Sequence, residues 1–239
     1  MTKKVILVGD QFSTFANGDT VVTLRHFNTI QTTQNNADLE VIVGQGLSHN
    51  TVDQLRHHDG ITVPDETSPL KLTHKHHQDN VMISKPIKFG KSKYQLDLLL
   101  NNANDRLLDH VTGTHVSGMV LIEAGRQASI ACSELEYRLA ESEVPFGFVW
   151  NDLQVEFMRF TLPVPTKLLL TLTETANKKD DRKRSIAAKV EFLQSKNPTC
   201  SVNLTFEIWP SKIIKQIEAH TGNRLIKLIT QMNVEENAV

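Results

Sequence analysis

A carboxylate and a guanidinium lie inside an otherwise apolar run, HVSGMVLIEAGRQ, at residues 115–127. A buried carboxylate is unfavourable unless it is paired or hydrogen-bonded. Arg126 follows Glu123 by three residues and Gln127 follows it by four, so the three side chains share one face of a helix. Two interpretations are open: a structural ion pair, or a polar site in which Glu123 moves a proton and Arg126 binds an anion.

The residues that lead into this run favour the functional interpretation. Two histidines, His110 and His115, are natural acid–base partners for a buried carboxylate. Two glycines, Gly113 and Gly118, would let backbone N–H groups approach a carbonyl and form an oxyanion hole. The sequence therefore predicts a site at the start of a helix that spans the apolar run.

Composition excludes several classes of protein. The 239 residues carry 26 basic and 27 acidic side chains, a net charge of −1, which argues against a dedicated nucleic-acid binder. Two cysteines provide neither a disulfide framework nor a zinc site, and no apolar stretch is long enough to span a bilayer. We expect a soluble cytoplasmic protein without a membrane partner. The histidines at 74, 76 and 77 lack supporting ligands, so we expect neither a metal nor a cofactor.

The first 65 residues alternate between strand-like and helix-like segments, which predicts a small parallel α/β module of unknown role. The segments are 4–10, 19–34, 39–46, 48–58 and 61–63, and Ser48 is a plausible helix N-cap. The glycines match neither a dinucleotide-binding fingerprint nor a P-loop. We expect a structural or docking module that is dispensable for folding of residues 73–239, with a domain boundary in the proline-containing segment 64–74.

Residues 73–239 have a different order of elements. Two strands at 80–90 and 91–101 are followed by the apolar helix, which continues to about residue 140. Four more strands follow, at 146–163, 166–176, 185–194 and 200–210. A helical tail at 211–231, interrupted near Gly222, comes last. This order predicts an α+β hotdog fold, an antiparallel sheet wrapped around one central helix. Apolar residues on nearly every side of that helix predict that it is buried all round.

Three motifs in this region resemble those of the A-factor biosynthesis (AfsA-type) hotdog family. Residues 115–127 are similar to its helix motif, in which His-Val-Pro-Gly-Met leads into Glu-Ala-Ala-Arg-Gln. The stretch THKHHQDNVMIS (73–84) resembles its His-Lys pair and the Asn-Val-x-Ile-Ser strand that follows. The stretch VEFMRFTLPVP (155–165) resembles its Phe-x-Arg-Phe strand. The resemblance covers roughly residues 73–210.

The resemblance implies an acyltransferase without a cofactor. Butyrolactone-type members join a β-ketoacyl group, held as a carrier-protein thioester, to the hydroxyl of dihydroxyacetone phosphate. It implies that this chain acts on a carrier-protein or coenzyme A thioester and on a small hydroxylated acceptor. Glu123 and Arg126 would be catalytic, with a histidine, His115 in this interpretation. The implied substrate-binding residues are Gly113, Gly118, Gln127 and His74.

The chain departs from the butyrolactone synthases in one respect. Those proteins resemble a double hotdog, in which one chain carries two copies of the Glu-x-x-Arg motif. This sequence has one copy. A single hotdog leaves one sheet edge and one helix face open, so the resemblance implies a homodimer.

Two further interpretations stay open. Residues 110–124 also resemble the His-Phe-Pro-Gly and Gly-Val-Leu-x-x-Glu-Ala motifs of β-hydroxyacyl-carrier-protein dehydratases. In that case His110 and Glu123 form the acid–base pair and Arg126 is incidental. The chain could also bind an acyl ligand without catalysis.

Overall fold

The N-terminal region forms the predicted parallel sheet. The computed structural model describes residues 3–33, 39–102, 113–139, 142–175 and 183–236. The sheet has the strand order β2-β1-β3-β4, with β1 at Lys3–Val8, β2 at Val21–Thr23, β3 at Leu39–Val43 and β4 at Ile61–Thr62. Helices α1 (Leu24–Thr33) and α2 (His49–Leu55) connect the strands, and Ser48 caps α2 by accepting a bond from the Thr51 backbone N–H at 3.1 Å.

One N-terminal segment differs from the prediction of a helix over 19–34. Residues 21–23 pair with β1 as a parallel strand, and the helix begins only at Leu24. Val21, Val22 and Thr23 are all β-branched, which favours the strand, and Val21 and Val22 are buried there.

The second sheet has six antiparallel strands in the order β5-β6-β8-β9-β10-β7. Their bounds are β5 Ile87–Gly90, β6 Lys93–Asp97, β7 Phe146–Phe157, β8 Lys167–Glu174, β9 Arg184–Gln194 and β10 Asn197–Pro210. The central helix α4 (Gly118–Glu136) packs on this sheet, and a Cβ added at Gly125 would lie 3.0 Å from the Val202 side chain. Glycine therefore allows β10 to approach the helix closely. The fold is the predicted α+β hotdog.

The central helix is buried on most sides but not on all of them. Val120, Leu121 and Ala124 are buried, whereas the Met119 side chain is 60 % exposed. The partly exposed residues at 122, 123 and 126 lie on the same side of the helix as Met119. The prediction of burial all round was wrong on this face, because no element of the described part of the chain covers it.

The segment 64–74 is not a free linker. Its Thr67 forms a β-bridge with Ser84, and the Ser68 backbone N–H donates to the Ile83 carbonyl at 3.0 Å. A short helix, α3 (Leu70–Thr73), then packs beside α4. The first hairpin is less regular than predicted. Ile83 and Ser84 still meet the end of β6, through the Ile83–Leu98 bridge and a bond from the Ser84 N–H to the Asp97 carbonyl, but as isolated contacts beyond β5.

The C-terminal helix α5 (Ser211–Glu236) continues through Gly222, where the sequence predicted an interruption. A Cβ at Gly222 would meet nothing within 4 Å, so this position lies on an open stretch of helix. Glycine in an exposed helix interior is less favourable than alanine by about 1 kcal/mol, which a long helix tolerates. In the described ranges, no helix is both long enough and apolar enough to cross a bilayer.

Part of the N-terminal region packs into the apolar core of the hotdog. Val8, Phe12 and Val21 of the N-terminal region belong to the same buried cluster as Val120 of α4 and Val202 of β10. Removing residues 1–65 would expose the surface that these three side chains cover. Other N-terminal side chains, such as Leu7 and Phe27, form a separate buried core within that region. The expectation that the N-terminal region is dispensable for folding of residues 73–239 stays a prediction.

Candidate active site

The Glu123 carboxylate lies at the centre of a polar cluster on the open face of α4. Arg126 donates to it through both arms of its fork, from Nε to Oε2 at 2.7 Å and from Nη2 to Oε1 at 2.9 Å. The Glu123 side chain is 19 % exposed and the Arg126 side chain is 30 % exposed. The bidentate pair that the spacing predicted is therefore present and accessible from one side.

Gln127 joins this cluster to a neighbouring segment. Its Nε2 donates to Glu123 Oε1 and to the Asn80 carbonyl, each at 2.9 Å. Its Oε1 accepts from the Met82 backbone N–H, also at 2.9 Å. Because Gln127 is fully buried, it orients the Glu123 carboxylate from the protein interior and presents no group to solvent.

Lys75 is a member of the cluster that the spacing within the helix does not predict. Its Nζ lies 2.5 Å from Glu123 Oε1, and its side chain is largely buried. The residue follows the end of α3, and its backbone N–H donates to the Leu70 carbonyl. The signal in the sequence is the His-Lys pair at 74–75, which lies in a stretch that resembles a family motif.

The cluster holds Glu123 as an anion. Burial by itself would raise the pKa of Glu123, but hydrogen bonds from Arg126, Lys75 and Gln127 outweigh it and lower the pKa to about 2. One carboxylate faces two cations, so the cluster carries a surplus positive charge. It can attract an anionic group of a ligand, which would compete with Glu123 for the donors of Arg126 and Lys75.

We expect this carboxylate to make the stability of the protein depend on pH. A folded pKa of about 2, below the ordinary value of 4.5, contributes stability above about pH 4.5 that is lost as the pH falls towards 2. The free energy of unfolding should therefore fall more steeply in this window for the wild type than for Glu123→Gln. Urea unfolding at a series of pH values would measure it. Glu156→Gln, at an exposed position of β7, is the control; equal pH dependence in all three proteins would contradict the prediction.

His115 lies just before α4 and is partly buried. Its Nδ1 is 3.1 Å from the Thr114 hydroxyl, and its ring packs on Phe160 with the centroids 4.9 Å apart. The hydrogen bonds described at Glu123 come from the cluster of Arg126, Gln127 and Lys75. His115 is thus placed near the start of α4 rather than bonded to the carboxylate.

The two glycines of the leading loop allow close approaches. Gly118 begins α4, and a Cβ there would lie 2.8 Å from the Phe157 ring. Gly113 has a φ of +77°, which favours glycine, and its added Cβ would lie 2.7 Å from Thr14 Oγ1. Ser117 precedes α4 without forming a side-chain capping bond. An oxyanion hole at this helix start stays a prediction.

His74 points to a different part of α4. Its Nε2 lies 2.7 Å from Glu134 Oε1, about three turns beyond Glu123, and its ring packs edge-on against Phe148. The structure therefore brings together Glu123, Arg126 and Gln127 of the predicted site, and it directs His74 elsewhere. His110 lies outside the described residues, so the dehydratase-like pairing of His110 with Glu123 stays a prediction.

An exposed apolar surface adjoins the start of α4. Phe160 is 74 % exposed and packs on His115, and Phe157 is more than half exposed where it covers Gly118. Met119 follows Gly118 and is exposed on the open face of the helix that carries Glu123. An apolar surface thus adjoins the start of the helix that carries the polar cluster.

The sequence matches a known family over most of this architecture. Residues 60–210 match the A-factor biosynthesis hotdog domain, AfsA. The chain belongs to this family. The match begins near β4 and ends with β10, so it includes α3, the whole polar cluster and the six-stranded sheet.

Several solved structures are also similar to the chain. A thioesterase mutant from Pseudomonas aeruginosa is 10 % identical, with 62 % of this chain and 99 % of that chain covered and a TM-score of 0.42. A thioesterase mutant from Staphylococcus aureus is 10 % identical, with 52 % and 92 % covered and a TM-score of 0.37. A hypothetical thioesterase with coenzyme A from Streptococcus pneumoniae is 9 % identical, with 52 % and 84 % covered and a TM-score of 0.38. No curated protein matches the sequence.

Proposed function

We propose that this AfsA-family protein binds an acyl thioester beside α4 and transfers its acyl group to a small hydroxylated acceptor that carries an anionic group. The observation that carries the proposal is the cluster of Glu123, Arg126 and Lys75 on the open face of a helix that is otherwise buried. Family membership supports the thioester as the acyl donor. A β-ketoacyl donor, on a carrier protein or coenzyme A, and dihydroxyacetone phosphate as acceptor come from the resemblance to butyrolactone-type members.

The apolar surface beside the cluster suits the acyl chain. Met119, Phe157 and Phe160 would contact the chain and bury apolar area that solvent reaches in the single protomer. Arg126 and Lys75 would bind the anionic group of the acceptor, which places its hydroxyl near Glu123. Acyl chain and acceptor would thus meet at the start of α4.

Binding of an anion prepares Glu123 for proton transfer. With a pKa of about 2 the carboxylate is a weak base in the unliganded protein. An acceptor that takes hydrogen bonds from Arg126 and Lys75 weakens their hold on Glu123 and raises its pKa. Glu123 then accepts the hydroxyl proton while the acceptor oxygen attacks the thioester carbonyl. The new carbon–oxygen bond forms, the carbon–sulfur bond breaks, and the proton passes to the departing thiolate.

The proposal is tested by incubating the protein with β-ketoacyl-coenzyme A and, separately, with the carrier-protein thioester. Dihydroxyacetone phosphate is added to one series and unphosphorylated dihydroxyacetone to a matched series. We expect the thiol to be released and an acyl ester to form, faster with the phosphorylated acceptor; mass spectrometry measures both products. Failure to release thiol with either donor and either acceptor would contradict the proposal.

Acyl-ligand binding without catalysis is the second candidate. It is favoured by the engagement of Glu123 with three side chains, since such a carboxylate resembles a structural anion. It predicts saturable binding of an acyl thioester with neither thiol release nor ester formation. The same incubations, combined with a binding measurement, separate the two functions.

We propose that two copies form a homodimer through the open edge of β7. This long edge strand exposes Leu153 and Phe157 on the side that faces α4, and unpaired sheet edges and apolar patches favour association. We expect a dimer in sedimentation velocity at micromolar concentration, and Leu153→Lys should shift it towards monomer. Ile226→Lys, on exposed α5, is the control. A stable wild-type monomer would contradict the proposal.

A further inference from the structure

The carboxyl-terminal edge of the N-terminal parallel sheet is packed against backbone of the hotdog region. In open α/β sheets this edge is the usual place for a ligand. Here a Cβ added at Gly44, just beyond β3, would lie 2.4 Å from the Pro163 carbonyl oxygen. The Gly46 backbone N–H donates to the Leu100 carbonyl at 2.8 Å. The edge that would hold a ligand therefore holds another part of the chain.

Gln45 is the main polar contact at this edge. It is 3 % exposed. Its Nε2 donates to the Leu98 carbonyl at 3.0 Å, and its Oε1 accepts from the Leu100 backbone N–H at 2.9 Å. Its own backbone N–H donates to the Pro163 carbonyl at 3.0 Å. One buried side chain thus fixes the segment that follows β6.

A second contact reaches the segment that leads into α4. Phe12, in the turn after β1, is fully buried in the apolar core of the hotdog. The Phe15 backbone N–H donates to the Gly113 carbonyl at 3.0 Å, and Thr14 lies against Gly113. His115 lies two residues beyond Gly113. The next residue, Val116, donates its backbone N–H to the Thr161 carbonyl at 2.8 Å, so this segment is held on both sides.

A third contact reaches the segment that follows Lys75. The His49 ring, in the first turn of α2, has Nδ1 3.2 Å from the Thr67 hydroxyl and Nε2 3.1 Å from the Gln78 carbonyl oxygen. The N-terminal region therefore contacts segments next to both ends of the polar cluster.

We infer that the N-terminal α/β region is a positioning element of the proposed acyl-thioester site, with Gln45 and the Thr14–Gly113 contact as its fixing points. Its relevance to catalysis rests on the proposed function. Gln45 touches neither Glu123 nor its cluster partners; it acts through the backbone at 98–100, as the turn at 12–15 acts through Gly113.

The test compares the full chain with Gln45→Leu by hydrogen exchange. Removing the buried amide should accelerate exchange at the Leu100 N–H about tenfold, because its acceptor is lost and the segment opens locally, while amides of β9 and β10 keep their protection. Gln154→Leu, at an exposed position of β7, is the matched control and should leave exchange at Leu100 unchanged. Unchanged exchange at Leu100 in Gln45→Leu, or a uniform rise across the core, would overturn the inference.

A second pair of variants covers the case in which Gln45→Leu does not fold. Gly113→Ala should accelerate exchange at Phe15, because the new methyl group meets Thr14, and adding Thr14→Gly should restore part of the protection. A double variant no better protected than the single one would overturn the inference. Affinity for a non-hydrolysable acyl-coenzyme A thioether, measured on the same proteins, should fall with each loss of protection. If the wild type does not bind the thioether, the proposed function fails. If the wild type binds it and the variants that lose protection bind it equally well, the inference is overturned while the proposed function stands.

Discussion

Replacement of Glu123 by glutamine is expected to lower turnover of the acyl thioester by about 10²–10⁴-fold. Glutamine keeps the shape and accepts hydrogen bonds from Arg126 and Lys75, but it cannot take the proton of the attacking hydroxyl. Its neutral amide also leaves two cations without their carboxylate. The rate of thiol release at saturating donor measures the effect.

Glu134→Gln is the matched control for this prediction. Glu134 is a second, more deeply buried carboxylate of α4, and it pairs with His74 rather than with the cluster. Its replacement should lower thermal stability while turnover changes little. If Glu123→Gln retains wild-type turnover and only destabilises the fold, the cluster is a structural ion pair and the enzymatic proposal fails.

Replacement of Arg126 by lysine is expected to weaken binding of the anionic acceptor about ten- to a hundredfold. Lysine keeps the charge but loses the planar fork, whose Nε and Nη2 both bond to Glu123 and hold the guanidinium in one orientation. The Michaelis constant for dihydroxyacetone phosphate should rise, with a much smaller change for the unphosphorylated acceptor.

Arg184→Lys serves as the control, since Arg184, the first residue of β9, forms an exposed pair with Glu174. It should leave both Michaelis constants unchanged. Equal losses for the phosphorylated and unphosphorylated acceptors in Arg126→Lys would show that the guanidinium supports the fold rather than binding the anion.

The local part of the candidate site was predictable from the sequence, because helix geometry is local. Spacing alone placed Arg126 and Gln127 beside Glu123, and the structure confirms both contacts. Lys75 was not predictable from spacing. It is far from Glu123 along the chain and reaches it only because α3 packs beside α4.

The fold was predictable in outline for a related reason. Alternating apolar residues and turn signals indicated the six antiparallel strands, and the apolar run indicated the central helix. The contacts between the two regions left no local signal. Gln45 looks like an ordinary polar residue after a strand, and only tertiary packing places its amide on the backbone at 98–100.

The measurement that tests the central claim most directly is a crystal structure with a non-hydrolysable acyl-coenzyme A thioether and dihydroxyacetone phosphate. We predict that the acyl chain lies over Met119, Phe157 and Phe160 and that the phosphate contacts Arg126 and Lys75. The acceptor hydroxyl should lie within hydrogen-bonding distance of Glu123. Ligands bound elsewhere, with the Glu123 cluster unchanged and inaccessible to them, would contradict the account.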